Sequence, residues 1–230
     1  FLYLAYDQIL HDVCLQDLPV VFAIDRAGIV GSDGETHQGI FDISYLRTMP
    51  GMTLLAPKNK WEFSDMIKFA VNYGHPIAIR YPRGEAFDGL SDFRAPIVCG
   101  KSEGIYQTGT VVLLAYGSMV KTALEVRRRL KQDGIACALV NLRFARPLDT
   151  QMLSEAAGTY ELAVTMEENV KTGGVGEAVS EYFRETGADI RVLHIAVADT
   201  FVTHGNVEIL KQQIGLDAQS IAEKIKMVIK

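Results

Sequence analysis

Arg26 comes directly after the apolar run at 20–24, and Arg83 comes shortly after the apolar run at 77–79. A short continuous apolar run of this kind reads as a buried strand. Both guanidinium groups would then project from strand ends into the crevice at the carboxyl edge of a sheet, where open α/β sheets bind ligands. Two planar, permanently charged forks from adjacent strands suit one phosphate or carboxylate. The competing role for Arg26 is an ion pair with Asp25 or another acid. Between the two arginines, the polar loop 25–42 carries four glycines together with Asp33, His37 and Gln38. A loop of that length is usually functional or disordered. His37 sits among polar residues rather than on an apolar face, which suits proton transfer or a contact with a substrate hydroxyl. Asp33 taken alone is a turn aspartate, but Gly31 and Gly34 would let the backbone approach a ligand closely. Gln38 could orient a neighbouring group, and Arg80 reads as structural.

Strands and helices must alternate to put these residues at one edge. The pattern predicts strands at 20–24, 52–56, 77–79, 111–115, 135–140, 162–166 and 190–195, with a short edge strand near 105–106. Helices are predicted over 4–16, 43–48, 118–132, 148–157 and 173–185, and from about 207 and 218. Asn59 is placed to cap a further helix whose apolar positions recur at helical spacing through 71. Alternation of this kind implies mostly parallel sheets covered by helices. The fold class is α/β, with two mostly parallel α/β sandwich domains at 1–88 and 95–230. The boundary falls in the Gly, Asp, Ser and Pro-rich stretch 84–96.

Composition removes several function classes. A net charge of −5 with no basic stripe argues against a nucleic-acid partner. No apolar run approaches the length of a membrane span. Cys14, Cys99 and Cys137 are too widely spaced for a metal or disulfide framework and fit buried, reduced thiols. No metal-ligand cluster emerges. Two local patterns are decoys. Ser32-Asp33-Gly34 lacks the first glycine and the downstream asparagines of a diphosphate motif. Gly174-Val175-Gly176-Glu177-Ala178-Val179 ends in Val where a dinucleotide fingerprint wants Gly or Ala. Glu167-Glu168 reads as a structural or subunit-contact pair. The chain opens at Phe1 rather than Met and is expected to be cut from something longer.

The run DRAGIVGSDGETHQGIFDISYLRTMPG resembles the corresponding loop of the 1-deoxy-D-xylulose-5-phosphate synthases, thiamine-diphosphate enzymes of the transketolase superfamily. Arg80-Tyr81-Pro82-Arg83-Gly84, Arg143-Phe144-Ala145-Arg146-Pro147-Leu148-Asp149 and Thr165-Met166-Glu167-Glu168-Asn169 followed by Gly173-Gly174 are similar to the same family, so the likeness covers the whole chain. The resemblance implies part of a thiamine pyrimidine-binding domain followed by a transketolase C-terminal domain. It implies that Arg26 and Arg83 bind the phosphate of D-glyceraldehyde 3-phosphate, and that His37 and Asp33 are catalytic. Phe1 would stack on the cofactor's aminopyrimidine. Leu4 stands where family members carry Arg. The implied full-length enzyme uses thiamine diphosphate and Mg²⁺ and condenses pyruvate with the acceptor as a homodimer in the bacterial cytoplasm. The Mg²⁺ site and the activating glutamate would lie outside this chain, which alone would be inactive. A split transketolase or 2-oxoacid dehydrogenase β-type subunit and a non-catalytic dimerisation module are the alternatives.

Overall fold

The computed structural model describes residues 2–229. Strands β1 (Val21–Ile24), β2 (Thr53–Leu55) and β3 (Ile77–Arg80) are parallel, in the order β1-β3-β2. A second sheet has the order β4-β6-β5-β8-β9, built from β4 (Glu103–Tyr106), β5 (Val111–Ala115), β6 (Cys137–Asn141), β8 (Leu162–Val170) and β9 (Arg191–Val197). All of its pairings are parallel except that of the edge strand β4 with β6. The predicted α/β class with two mostly parallel sheets is what the molecule has. β5 illustrates why such strands read as unbroken apolar runs. Val111, Leu113 and Ala115 face one core, while Val112 and Leu114 face another.

Helices follow the expected order. α2 (Asp42–Arg47) is short. α3 (Lys60–Val71) is capped by Asn59, whose side chain accepts from the Glu62 N–H at 2.9 Å. α4 (Met119–Gln132), α5 (Thr150–Thr159), α6 (Val175–Thr186), α7 (Val207–Gln213) and α8 (Ala218–Ile229) cover the second sheet. The first helical stretch is less regular than its pattern predicts. It passes from a 3₁₀ turn at Leu2–Ala5 through α1 (Tyr6–Gln8) into a π turn at Ile9–Cys14. The wider π turn brings residues five apart onto one face, which is why Ile9 and Cys14 are the buried pair.

One strand has no counterpart in the sequence reading. β7 (Phe144–Arg146), from the second half of the chain, pairs antiparallel with β2 and completes the first sheet. Three residues stopped by Pro147 are too few for a periodicity to register. The halves also share a core: Ile43, Leu46, Leu54 and Ala78 pack with Val112, Leu114, Val140 and Val179.

Candidate acceptor site at the sheet edge

Pairing of β1 with β3 continues beyond both strands. The Tyr81 N–H donates to the Ile24 carbonyl at 2.9 Å, and the Ala27 N–H donates to the Tyr81 carbonyl at 3.0 Å. This extension holds Arg26 and Arg83 side by side at the carboxyl edge. Their guanidinium groups converge on one atom, Asp33 Oδ2. Arg83 Nη1 lies 2.9 Å from it and Arg26 Nε 3.9 Å from it. Arg26 also pairs with Asp25 at 2.7 Å, so the expected competing ion pair is present too. The Arg26 backbone has φ +59°, a left-handed conformation that costs a branched-off side chain roughly 1–3 kcal/mol. Surrounding bonds must hold it there.

Those bonds close the neck of the loop. Gly28 and Gly39 form an antiparallel bridge, with N–H···O distances of 2.7 and 2.8 Å. A Cβ on Gly39 would lie 2.1 Å from the Arg26 carbonyl oxygen, and one on Gly28 would lie 1.9 Å from a Glu168 carboxylate oxygen. Only glycine fits at either place. Beneath the neck, Arg80 is buried and donates to Asp42 at 2.6 Å and to the Gly39 and Glu168 carbonyls. This is the structural part expected of it.

Asp33, Arg26 and Arg83 are thus brought together. His37 lies farther along the same loop in a 3₁₀ turn (Glu35–His37), exposed, with Nδ1 2.8 Å from the Thr36 hydroxyl. Phe1 lies outside the described residues. Gln38 is buried and bonded at both ends of its amide: Oε1 accepts from the Val30 N–H at 2.8 Å, and Nε2 donates to the Thr203 and Val202 carbonyls. Gly31 approaches the Gly205 carbonyl rather than open space.

The Glu167-Glu168-Asn169 run at the end of β8 is a seam between the two sheets. Glu168 accepts from the Ile29 N–H at 3.2 Å and pairs with Lys211. Asn169 donates to the Ser44 hydroxyl at 2.8 Å. Glu167 lies at the start of α6 and accepts from the Val175 and Gly176 N–H groups, both at 2.8 Å. Burial pushes its carboxyl up to about 7, against the pull of those two N–H groups and of Arg80 and Arg47. The glycines of the false dinucleotide pattern are explained here. A Cβ on Gly174 would press on the Glu167 carboxylate, and one on Gly176 on the His194 ring.

A buried charge cluster escaped the sequence reading. Lys58 pairs with Glu62 at 2.8 Å and Glu103 at 2.6 Å, and Arg143 pairs with the same two acids at 2.7 and 3.0 Å. Asn141 completes it with two bonds of 3.0 Å to Glu62. The partners lie up to 81 residues apart in the chain, so no local spacing reveals them.

Comparison with known proteins places the molecule. The family model for the transketolase pyrimidine-binding domain matches residues 1–87, and that for the transketolase C-terminal domain matches residues 100–221. The chain belongs to the transketolase family. Within it, the chain is 53% identical over 226 residues to a 1-deoxy-D-xylulose-5-phosphate synthase from Lachnoclostridium phytofermentans, covering 98% of this chain and 36% of the relative. It is 47% identical over 230 residues to the synthase of the same name from Dictyoglomus thermophilum, covering 100% of this chain and 37% of the relative. The chain therefore spans little more than a third of the length of these curated relatives. Among solved structures, a split-gene transketolase described as an inactive β4 tetramer superposes with a TM-score of 0.86 at 28% identity. That match covers 97% of this chain and 70% of the other. Among the described residues, no helix is long and apolar enough to cross a membrane.

Proposed function

We propose that this chain is the pyrimidine-binding and C-terminal portion of a thiamine-diphosphate-dependent synthase. The reaction condenses pyruvate with D-glyceraldehyde 3-phosphate, giving 1-deoxy-D-xylulose 5-phosphate and CO₂. The observation that carries this reading is the convergence of Arg26 and Arg83 on one point at the sheet edge. A point facing two guanidinium groups is an anion site, and a dianionic phosphate matches its charge better than a single carboxylate. Asp33 occupies that point in the protein alone; a phosphate arriving there would turn its carboxylate towards the acceptor hydroxyls. His37 would exchange a proton with the acceptor's reacting oxygen.

Thiamine diphosphate is the cofactor that the pyrimidine-binding family match supports, and the described residues bear on where its Mg²⁺ would be held. They contain no group of three or more His, Cys, Asp and Glu side chains that could hold a metal ion. The buried carboxylates at and beneath the loop, Asp42, Glu167 and Glu168, are engaged by Arg80, backbone N–H groups and Lys211. We place the cofactor's anchoring on polypeptide beyond these residues, take the chain alone to be inactive, and assign the enzyme to the bacterial cytoplasm as a homodimer. The division between the two domains is placed in 88–95.

The test uses the whole synthase that carries this chain. Each charge-assisted hydrogen bond contributes about 1.5–3 kcal/mol. Arg83→Ala and Arg26→Ala should therefore raise KM for glyceraldehyde 3-phosphate by about ten- to a hundredfold, with KM for pyruvate held within about twofold. Unchanged acceptor KM in both variants would end the reading.

One observation favours a second reading. The split-gene transketolase likeness extends over nearly the whole of this chain. On that reading the chain is a separate subunit that needs a second polypeptide for activity. The intact mass of the source protein decides between them. A mass near 25.4 kDa supports a separate subunit, and one close to three times larger supports a single polypeptide.

A further inference from the structure

The loop bearing Asp33 and His37 is fastened to the second domain as well as to its own. Gln38 is the loop side chain that reaches across to the 202–203 segment. A primary amide can accept twice on its oxygen and donate twice from its nitrogen, and Gln38 makes three of these four bonds. Its oxygen takes the Val30 N–H at 2.8 Å, and its nitrogen reaches the Thr203 carbonyl at 3.0 Å and the Val202 carbonyl at 3.4 Å. A second tie runs in parallel, from the Gly205 N–H to the Gly31 carbonyl at 3.2 Å. Contact there is tight, since a Cβ on Gly31 would lie 2.6 Å from the Gly205 carbonyl oxygen. His204 approaches the loop tip, its Cβ 3.8 Å from where a Gly34 Cβ would stand. The receiving segment is itself held. Val202 is buried, and Asn206 caps α7 through the Glu208 and Ile209 N–H groups.

These contacts bracket Asp33 on both sides, at residues 30–31 and 38. We infer that Gln38 is a positioning residue for acceptor binding, through which the 202–206 segment of the C-terminal domain sets where Asp33 and His37 stand. The C-terminal domain then has a part in the reaction although, among the described residues, the ion-pair partners of the two arginines are Asp25 and Asp33 of the first. This inference rests on the acceptor-site reading given above.

The experiment compares Gln38→Leu, Gly31→Ala and Arg83→Ala in the whole synthase carrying this chain. It reads KM for glyceraldehyde 3-phosphate, KM for pyruvate and melting temperature. Gln38→Leu keeps the volume but removes all three bonds, and Gly31→Ala strains the parallel tie from the opposite side. Each should raise acceptor KM by about tenfold, the effect of losing one or two net hydrogen bonds, with pyruvate KM unchanged. If Arg83→Ala raises acceptor KM while both clamp variants leave it within about twofold, the inference falls and the acceptor site stands. A loss of kcat/KM for both substrates alike, tracking a lower melting temperature, also overturns it, because that is what a merely structural glutamine would give. No effect of Arg83→Ala on acceptor KM would overturn both the acceptor site and the clamp. Should Gln38→Leu not fold, Gly31→Ala decides by the same criteria.

Discussion

Glu167 carries a consequence for stability that is separate from the acceptor site. Its carboxyl has an ordinary value of 4.5 and is pushed up to about 7 in the folded protein, chiefly by burial. The folded state therefore holds this proton more tightly than the unfolded chain does. The contribution to stability is fully present below about pH 4.5 and is lost as pH rises through about 7. A difference of that size corresponds to roughly 3 kcal/mol. Glu167→Gln cannot ionise, so it should lack this component. Urea unfolding of wild type and variant at pH 5 and pH 8 checks it. The stability gap between them should shift in favour of the variant at the higher pH, by up to ~3 kcal/mol. Parallel pH dependence would show that Glu167 does not titrate in this range. The cysteines make the complementary point. Burial pushes Cys137 up to about 11, so it should not react with alkylating reagents near neutral pH in the folded protein.

At the scale of elements, the loop depends on a neck that only glycine can form. In Gly39→Ala the new methyl would meet the Arg26 carbonyl at 2.1 Å, so the bridge to Gly28 must open. Overpacking of this kind costs typically 1–3 kcal/mol. It should also free Arg26 from its left-handed conformation and blunt acceptor binding. Hydrogen exchange at the Gly28 and Val30 amides should speed up while exchange in β5 stays slow; uniform acceleration would place the damage elsewhere. Much at this scale was legible in the chain. The Asn59 cap, the apolar runs of β3 and β5 and the arginines at strand ends follow from local spacing, whereas the run at 20–24, expected to be a buried strand, forms β1 as a half-exposed edge strand because it pairs on one side only. The π turn at Ile9–Cys14 and the three-residue β7 were not legible, because each depends on what packs against it. Asp33 was legible as a turn residue only. Its place between Arg26 and Arg83 needed the sheet to bring residues 50 apart into contact.

At the scale of the whole molecule, the two halves are joined by β7, by a shared core and by the charge cluster around Arg143. Lys58 and Glu62 come from the first half and Glu103, Asn141 and Arg143 from the second, with every charged side chain at most 5% exposed. Two positive and two negative charges balance, and Arg143 spends its remaining donors on the Ala95 and Pro96 carbonyls of the linker. Removing one member leaves an uncompensated buried charge, which costs about 3–5 kcal/mol, whereas removing an opposite pair leaves a neutral remainder. Arg143→Met should therefore be strongly destabilising, and adding Glu103→Gln should recover part of the loss because Lys58 and Glu62 remain matched. A double-mutant cycle by urea denaturation of the whole protein measures this directly. The expected coupling makes the double variant more stable than the sum of the single losses by at least ~1 kcal/mol. Strict additivity would mean that Arg143 and Glu103 act independently of each other. With coupling present, the charge cluster is a joint in its own right, tying the 95–96 linker to helix and strand residues of both halves.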